Sequence, residues 1–302
     1  MKKIIFTIAI LCSFTITRAC DICGCGLGNY YFGFLPQFEH KFLGVKYEFR
    51  NFHTVLKDDP SEFSRDHYTT ITLWGGWNIG KRWQVLAMLP YNYVHQVSDE
   101  GTVKNSGIGD IAVLGNYKLL DRTSATSNKK LVTQLLWIGA GIKAPTGKFN
   151  IDAAADDLIA KSNIQTGSGS TDILVNTLYN VRIDKWGINT VASYKINTRN
   201  SDKYHFGDKF SASTFASYAA KKNKTTFLPN IGLMYEHSAA NTLQGEKVDQ
   251  TGGYIFAAAA GLEVNIKKIT VGANVQLPAG QHFAEGQTVT NVRGMAHITF
   301  SL

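Results

Sequence analysis

The chain has 302 residues, of which 18% are charged, 44% are hydrophobic and 12% are aromatic. A disordered chain would be poorer in aromatic residues and richer in charge, and four cysteines are too few for a disulfide scaffold of this length. Beyond residue 20, no segment approaches the roughly 18 to 20 consecutive apolar residues of a membrane helix. The composition therefore excludes a helical membrane protein. It leaves open a β-barrel, in which apolar residues occupy alternate positions.

The amino terminus predicts a cleaved signal peptide over residues 1–19. The apolar run from Ile4 to Ile16 follows two lysines, and Thr17 and Ala19 form a small-x-small cleavage site. Cleavage would lower the net charge from +8 to +5, because the segment carries three basic residues and no acidic one. No basic run of the kind found in nucleic-acid-binding proteins remains, so we expect no nucleic-acid partner.

From Phe42 onward, the hydrophobic pattern repeats every two residues, which is typical of strands with one polar face. Twelve such segments follow one another, and an even number of them predicts a single antiparallel transmembrane barrel over residues 38–302. In chain order, their outward apolar positions begin at Leu43, Ile71, Trp83, Ile111, Leu131, Ile173, Trp186, Phe210, Phe227, Tyr254, Ile269 and Val292. The fifth segment has no clear register, because Trp137 and Ile138 compete for its apolar face.

The links between these segments alternate in length, which predicts short periplasmic turns and long extracellular loops. Tight turns are expected at 80–82, 183–185, 221–224 and 265–267, with a somewhat longer link at 121–130. Long loops are expected at 52–67, 95–107, 144–167, 197–208, 236–251 and 278–290. Outward aromatic residues cluster at both ends of the predicted strands, as the two bilayer interfaces require. The chain is therefore expected in the outer membrane of a didermic bacterium, in contact with its lipids.

Three glycine-rich segments carry a family resemblance. Residues 107–117, 141–148 and 167–173, with their Gly-x-Gly-Asp and Lys-x-Pro-Thr-Gly patterns, resemble the outer-membrane transporters labelled putative MetA-pathway of phenol degradation. The resemblance covers most of the barrel and implies passage of small hydrophobic or aromatic compounds. The segment Cys20–Gly26 lies outside the general family pattern and resembles Bacteroidetes members.

These observations favour a channel for passive passage of small solutes, and the rival interpretation is a structural or adhesive barrel that transports nothing. The last strand ends on Phe300 and Leu302, so it resembles the segment by which the barrel-assembly machinery recognises its clients. No outward histidine accompanies an outward serine in the arrangement of a barrel hydrolase, so no enzymatic activity is expected.

Charged residues on the inward register are the candidate lining of the lumen. Two interpretations stay open for them: a hydrated interior of ion pairs that stabilises the barrel, or a selectivity ladder for a polar solute. The main candidates are Lys46, Glu48, Arg50, Asp110, Lys118, Asp172, Arg182, Lys195, Glu263 and Arg293, with Lys209, Glu236, Lys268 and His297 on the same register.

The segment 20–37 precedes the first strand and is apolar enough to enter the lumen from the periplasm as a plug. Its three thiols, Cys20, Cys23 and Cys25, cannot all pair within one chain. One interpretation is a disulfide with a free or lipidated thiol. The other is a thiolate site for copper(I) or zinc, with His40 as the nearest fourth ligand. A metal site would connect the barrel with the handling of soft metals.

Overall fold

The computed structural model describes residues 41–125, 130–150 and 162–302, and its secondary structure is dominated by β-strands. The strands are β1 (Phe42–Val55), β2 (Phe63–Ile79), β3 (Trp83–Ser98), β4 (Gly101–Ile108), β5 (Ile111–Ala125), β6 (Leu131–Ala144), β7 (Asp172–Ile183), β8 (Trp186–Ile196), β9 (Tyr204–His205), β10 (Lys209–Tyr218), β11 (Ala220–Lys222), β12 (Thr225–Ser238), β13 (Thr242–Leu243), β14 (Glu246–Lys247), β15 (Gly253–Ile266), β16 (Ile269–Phe283) and β17 (Thr288–Ser301). No helix in these described ranges is long and apolar enough to span a bilayer.

Twelve long strands close into one antiparallel barrel, as the sequence predicts. They are β1, β2, β3, β5, β6, β7, β8, β10, β12, β15, β16 and β17. The barrel closes where β1 pairs with β17, from Phe42 opposite Ser301 to Thr54 opposite Thr288. Beyond this pairing, the Leu302 amide donates a hydrogen bond to the Lys41 carbonyl at 2.8 Å. Both ends of the described barrel therefore lie at the same rim.

That rim, which we call the turn end, carries the tight hairpins. Gly80, Asp184, Asn223 and Lys267 adopt φ values between 54° and 63° at the predicted turn positions. Hairpin turns of two or three residues use such left-handed backbone, because it lets the turn follow the twist of the flanking strands. The four tight turns are confirmed.

The opposite rim, the loop end, differs from the sequence prediction. Several segments expected to be loops are strands that extend beyond the barrel belt. The loop expected over 95–107 is only 99–100, between β3 and β4, and the one expected over 278–290 is only 284–287. Outside a bilayer both faces of a strand contact water, so the alternation that identifies the strand disappears. The long links that remain are 145–171, 197–208 and 239–252, and the last two contain β9, β13 and β14.

The outer face of the barrel is apolar and ends in two aromatic bands. At the turn end, the Trp83 ring lies 4.9 Å from Tyr117 and the Trp186 ring 5.0 Å from Tyr218. At the loop end, Tyr235 lies 6.4 Å from the exposed Tyr254. Aromatic bands on both sides of an aliphatic belt match the two interfaces of a bilayer.

The structure also settles the register of β6. Trp137 is 2% exposed on the inner face, whereas Ile138 is 44% exposed on the outer face. The glycines of this strand share the inner register of Trp137. A Cβ at Gly139 would lie 2.4 Å from the Asn176 side-chain oxygen, so this part of the inner wall is crowded.

Candidate functional site: the barrel interior and its mouth

One sector of the inner wall is apolar, which the sequence analysis missed. Its side chains come from β1, β2, β3, β5, β6, β7 and β8, and are Phe42, Trp74, Leu86, Met88, Ala112, Leu114, Trp137, Leu174, Leu178 and Val191. The signal was present in the sequence, because Leu86 and Met88 belong to a run that is apolar on both faces. A pattern that alternates between apolar and polar residues assigns the polar residues to the inner face, so an apolar inner sector does not show in it.

Six of the inward charged residues lie together on β1, β10, β12 and β17. Glu236 on β12 accepts a hydrogen bond from Arg293 on β17 at 2.8 Å and lies 3.4 Å from the Lys209 ammonium group. Near them, Lys46 and Glu48 of β1 pair at 3.0 Å. The inner wall is thus divided into an apolar sector and a charged, predominantly basic sector.

Arg50 lies inside the charged sector, as the register partner of Arg293 between β1 and β17. Its charged neighbours are Arg293, Glu48 and Glu236, but both carboxylates already pair with other cations. Among the described residues, no hydrogen bond or ion pair joins the Arg50 guanidinium to a carboxylate. The side chain remains partly accessible to water in the lumen.

The other candidates lie in more varied places. Glu263 and His297 are buried and 3.4 Å apart, and Lys195 is 6% exposed. Lys118 pairs with Asp121 at 2.8 Å towards the turn end. Arg182 and Lys268 are exposed beside the turns that end their strands. The basic residues at the turn end are therefore rim residues rather than part of the charged sector.

Asp110, Lys143 and Asp172 converge at the loop end in a buried group that we call the motif cluster, together with Ser168 and Ser170. The Lys143 ammonium group lies 2.7 Å from carboxylate oxygens of both Asp110 and Asp172. Lys143 is 2% exposed and Asp172 is 0% exposed. The three glycine-rich segments singled out in the sequence each contribute to this group, although they are far apart along the chain.

Hydrogen bonds fix the long link 145–171 to the motif cluster. Asp110 accepts from the Gly147 amide at 3.0 Å, and from the Ser168 amide at 2.9 Å and hydroxyl at 2.7 Å. The Ser170 hydroxyl donates to Asp172 at 2.8 Å. Charge-assisted hydrogen bonds of this kind are about twice as strong as neutral ones. Both ends of the link are therefore held by carboxylates of the barrel wall.

The two glycines of this region are required by close backbone contact. A Cβ on Gly147 would lie 2.6 Å from the Gly167 Cα, and a Cβ on Gly167 would lie 2.5 Å from the Gly147 carbonyl carbon. Neither neighbour is a flexible side chain that could move aside. The Lys-x-Pro-Thr-Gly and Gly-Ser-Gly-Ser patterns therefore encode a backbone crossing.

From this crossing, residues 162–170, the mouth segment, run along the inner wall at the loop end. Ile164 packs against the buried cluster of Phe52, Tyr68 and Val94, together with Phe283. The Asn105 side chain donates to the Ile164 carbonyl at 2.7 Å. The mouth segment therefore also contacts β1 to β4, beyond the strands to which it is attached.

A second set of contacts joins the mouth segment to the neighbouring loops. Tyr204 is 1% exposed. Its hydroxyl oxygen accepts hydrogen bonds from the Ser162 hydroxyl at 3.3 Å and from the Asn241 side-chain amide at 2.7 Å. Its ring lies 4.9 Å from Phe206. The mouth segment 162–170 thus packs together with the links 197–208 and 239–252 as one cover over part of the mouth.

The candidate metal ligands Cys20, Cys23 and Cys25, the predicted plug and the signal peptide lie outside the described residues. Within the described part of the chain, no group of three His, Cys, Asp or Glu side chains is placed to hold a metal ion. Several histidines expected in loops lie instead on strands. His67 of β2, for example, has its ring 6.0 Å from that of His95 of β3.

Comparison with solved structures shows the same architecture. An outer-membrane channel from Pseudomonas putida F1 superposes with a TM-score of 0.61 at 15% identity, covering 91% of this chain and 100% of that chain. The β-domain of the Bordetella autotransporter BrkA gives a TM-score of 0.51 at 11% identity, covering 87% and 100%. At these identities the likeness establishes the fold, which is that of an outer-membrane β-barrel. No curated protein matches the chain.

The family profile described as "Putative MetA-pathway of phenol degradation" matches residues 61–293. The match spans most of the chain and includes the motif cluster and the mouth segment. The resemblance drawn from the three glycine-rich segments is therefore confirmed, and the chain belongs to this family of outer-membrane barrels.

Proposed function

We propose that the protein is an outer-membrane channel through which small, largely apolar solutes diffuse. The observation that carries this proposal is the apolar sector of the inner wall, where Trp74, Met88 and Trp137 are each at most 4% exposed. The outer face is also apolar, so the apolar residues inside are not needed for contact with lipid. They pack against one another inside the barrel, so an apolar solute that enters this sector would exchange contacts with apolar side chains rather than with water.

The charged sector opposite keeps water in the lumen. A solute with an apolar body can therefore contact the apolar sector while its polar group faces hydrated charges. This division supports solutes that carry one polar group over solutes that are polar all round. The family description, which names phenol degradation, supports aromatic compounds of this kind.

The mouth segment limits the size of the solute. Ile164 and its neighbours occupy the lumen side of the loop end, and the motif cluster holds them there. Bulky solutes would have to displace this segment. We therefore propose a narrow path for small molecules rather than a wide aqueous pore.

The test compares two tryptophan variants on neighbouring strands. Ala112 lies on the inner face and is 0% exposed, whereas Ala87 lies on the lipid side of β3. Uptake of radiolabelled phenol is measured in a host strain that lacks general porins. Heat-modifiable migration on gels confirms that each barrel is folded.

Ala112→Trp should reduce uptake to the level of the host without the protein, because the packed apolar sector around Ala112 has no room for the ring, which would have to project into the lumen. Ala87→Trp should leave uptake unchanged, since its ring faces lipid. Equal uptake by both folded variants and the wild type would contradict passage through the lumen.

A further inference from the structure

We propose that Arg50, supported by Arg293, forms an anion-binding site in the lumen for small carboxylates with an apolar or aromatic body. This inference rests on the proposed function, because it names the chemical class of solute that the channel binds. It starts from the charge balance of the inner wall around Arg50.

The charges around Arg50 do not balance. Four cationic side chains, Lys46, Arg50, Lys209 and Arg293, share the two carboxylates of Glu48 and Glu236. Arg50 is the one of these four that forms no ion pair among the described residues, on an inner wall where solvent screening is weaker than in bulk water. An anion from solution would lower the repulsion among these side chains.

Arg50 is the residue best placed to receive such an anion. Glu236 already forms ion pairs with Arg293 at 2.8 Å and with Lys209 at 3.4 Å. Glu48 forms one with Lys46 at 3.0 Å. The Nε atom of Arg293 is buried and also lacks a hydrogen-bond partner in the described structure. Arg50 thus offers unused donors to a solute, and Arg293 lies in register beside it.

A guanidinium group favours a planar carboxylate. Its N–H groups form a fixed fork that matches two carboxylate oxygens, and such paired hydrogen bonds are both directional and strong. A neutral hydroxyl group has a single oxygen and no charge, so it cannot match both arms of the fork. The site should therefore distinguish a carboxylate from an alcohol built on the same ring.

Aromatic side chains for the apolar part of the ligand lie beside the two arginines. Tyr68 is the register partner of Arg50 on β2, and its ring packs edge-on against Phe52 at 5.9 Å. Phe52 follows Arg50 by two residues, so both side chains point to the same face of β1, about 7 Å apart along the strand. An aromatic acid bound to Arg50 would thus place its ring near Phe52 and Tyr68.

The backbone supports this arrangement at one specific point. The pairing of β1 with β17 shifts register between Arg50 and Phe52, where Arg50 faces Arg293 but Phe52 faces Thr290. Such bulges bend a strand and change the direction of its side chains, and they are frequent beside functional sites. Here the bulge separates the basic part of the site from its aromatic part.

The experiment uses 4-fluorobenzoate and 4-fluorobenzyl alcohol, which share a ring and differ in charge. Binding to the purified full-length protein in detergent is followed at pH 8 by fluorine NMR titration, with empty micelles as the background. Arg50→Gln removes the charge, and Arg50→Lys keeps the charge but loses the fork. Lys104→Gln removes a positive charge from an exposed position on β4 and is the matched control.

Arg50→Gln should raise the Kd for 4-fluorobenzoate about tenfold, which corresponds to the loss of about 1.4 kcal/mol. Arg50→Lys should give an intermediate Kd, and Lys104→Gln should match the wild type. Binding of the alcohol should be unchanged in all variants. If Arg50→Gln fails to fold, the intermediate affinity expected of Arg50→Lys remains the test.

Equal benzoate affinity in the wild type and Arg50→Gln, or in the wild type and Arg50→Lys where only that variant folds, would overturn the inference. The same holds if the wild type binds the acid no better than the alcohol. Failure of the channel proposal looks different, because uptake would then be absent while Arg50-dependent binding persisted.

Discussion

Asp110 and Lys143 lie 2.7 Å apart on neighbouring strands at the loop end, although 33 positions separate them in the sequence. Lys143 also lies 2.7 Å from Asp172. A single ammonium group therefore contacts two buried carboxylates and balances only one of their two negative charges. The long link between β6 and β7 is attached to this pair. The stability of the mouth segment therefore depends on one lysine.

Replacing Lys143 by methionine should release the mouth segment. Two carboxylates would then be buried without a counter-charge, and removing one partner from a buried pair costs about 3 to 5 kcal/mol. Displacement of the link into water relieves this cost while the barrel remains folded. Limited proteolysis with mass spectrometry should detect faster cleavage within 145–171.

Lys148→Met is the matched control, because Lys148 is exposed and belongs to the same glycine-rich segment. Its cleavage pattern should resemble that of the wild type. A Lys143→Met variant as resistant as the wild type would show that the motif cluster does not hold the mouth segment.

Gly147→Ala should have a similar effect for a steric reason. The added Cβ would lie 2.6 Å from the Gly167 Cα, so one of the two backbones must move. Gly280→Ala on β16 is the control, since a Cβ there would meet no atom within 4 Å. Amide hydrogen exchange over 162–170 should accelerate in the first variant only. Unchanged exchange in Gly147→Ala would mean that the crossing tolerates a side chain.

The membrane placement predicts a depth-dependent cost for a charge on the outer face. Val113 is paired with Ala87, midway between Trp83 and Tyr91, and is 41% exposed on the outer face. Val113→Arg should lower the free energy of unfolding in bilayers by about 2 to 4 kcal/mol, whereas Leu119→Arg, beyond the aromatic band, should lower it by about 0 to 1 kcal/mol. Reversible denaturation in lipid vesicles gives both values. Equal costs would contradict the assigned belt.

The length of the links predicts the orientation of the barrel. In a background where Cys20, Cys23 and Cys25 are serine, Gln244→Cys should react with an impermeant thiol reagent on intact cells. Asn223→Cys, in a tight turn at the opposite rim, should not react. Labelling of Asn223→Cys without labelling of Gln244→Cys would invert the topology.

The sequence was sufficient for the barrel and insufficient for its interior. Alternation such as Val45–Lys46–Tyr47–Glu48 identifies a strand between lipid and water, so the twelve strands and their tight turns were predictable. Strand ends such as Gly101–Ile108 were not, because both faces are polar outside the membrane. The contact of Arg50 with its neighbours depends on register and curvature, which a pattern of single residues does not encode.

The motif cluster was predictable only in part. Asp110 and Asp172 were recognised as inward residues, but the sequence assigned them to the wall of a lumen in general. The hydrogen bonds from Ser168 and Gly147 to Asp110 depend on how the chain between β6 and β7 folds back. That conformation follows from contacts that form only in the closed barrel. The inward position of Trp137 was hidden for a similar reason, because both faces of that strand carry apolar side chains.

The most direct test of the central claim is the rate at which proteoliposomes swell in isotonic phenylalanine, a single-ring solute with an apolar body that crosses lipid slowly. The wild type should swell faster than empty liposomes, and Lys143→Met should swell faster still, because its mouth segment is released. Swelling at the rate of empty liposomes by both folded proteins would contradict a passage through this barrel.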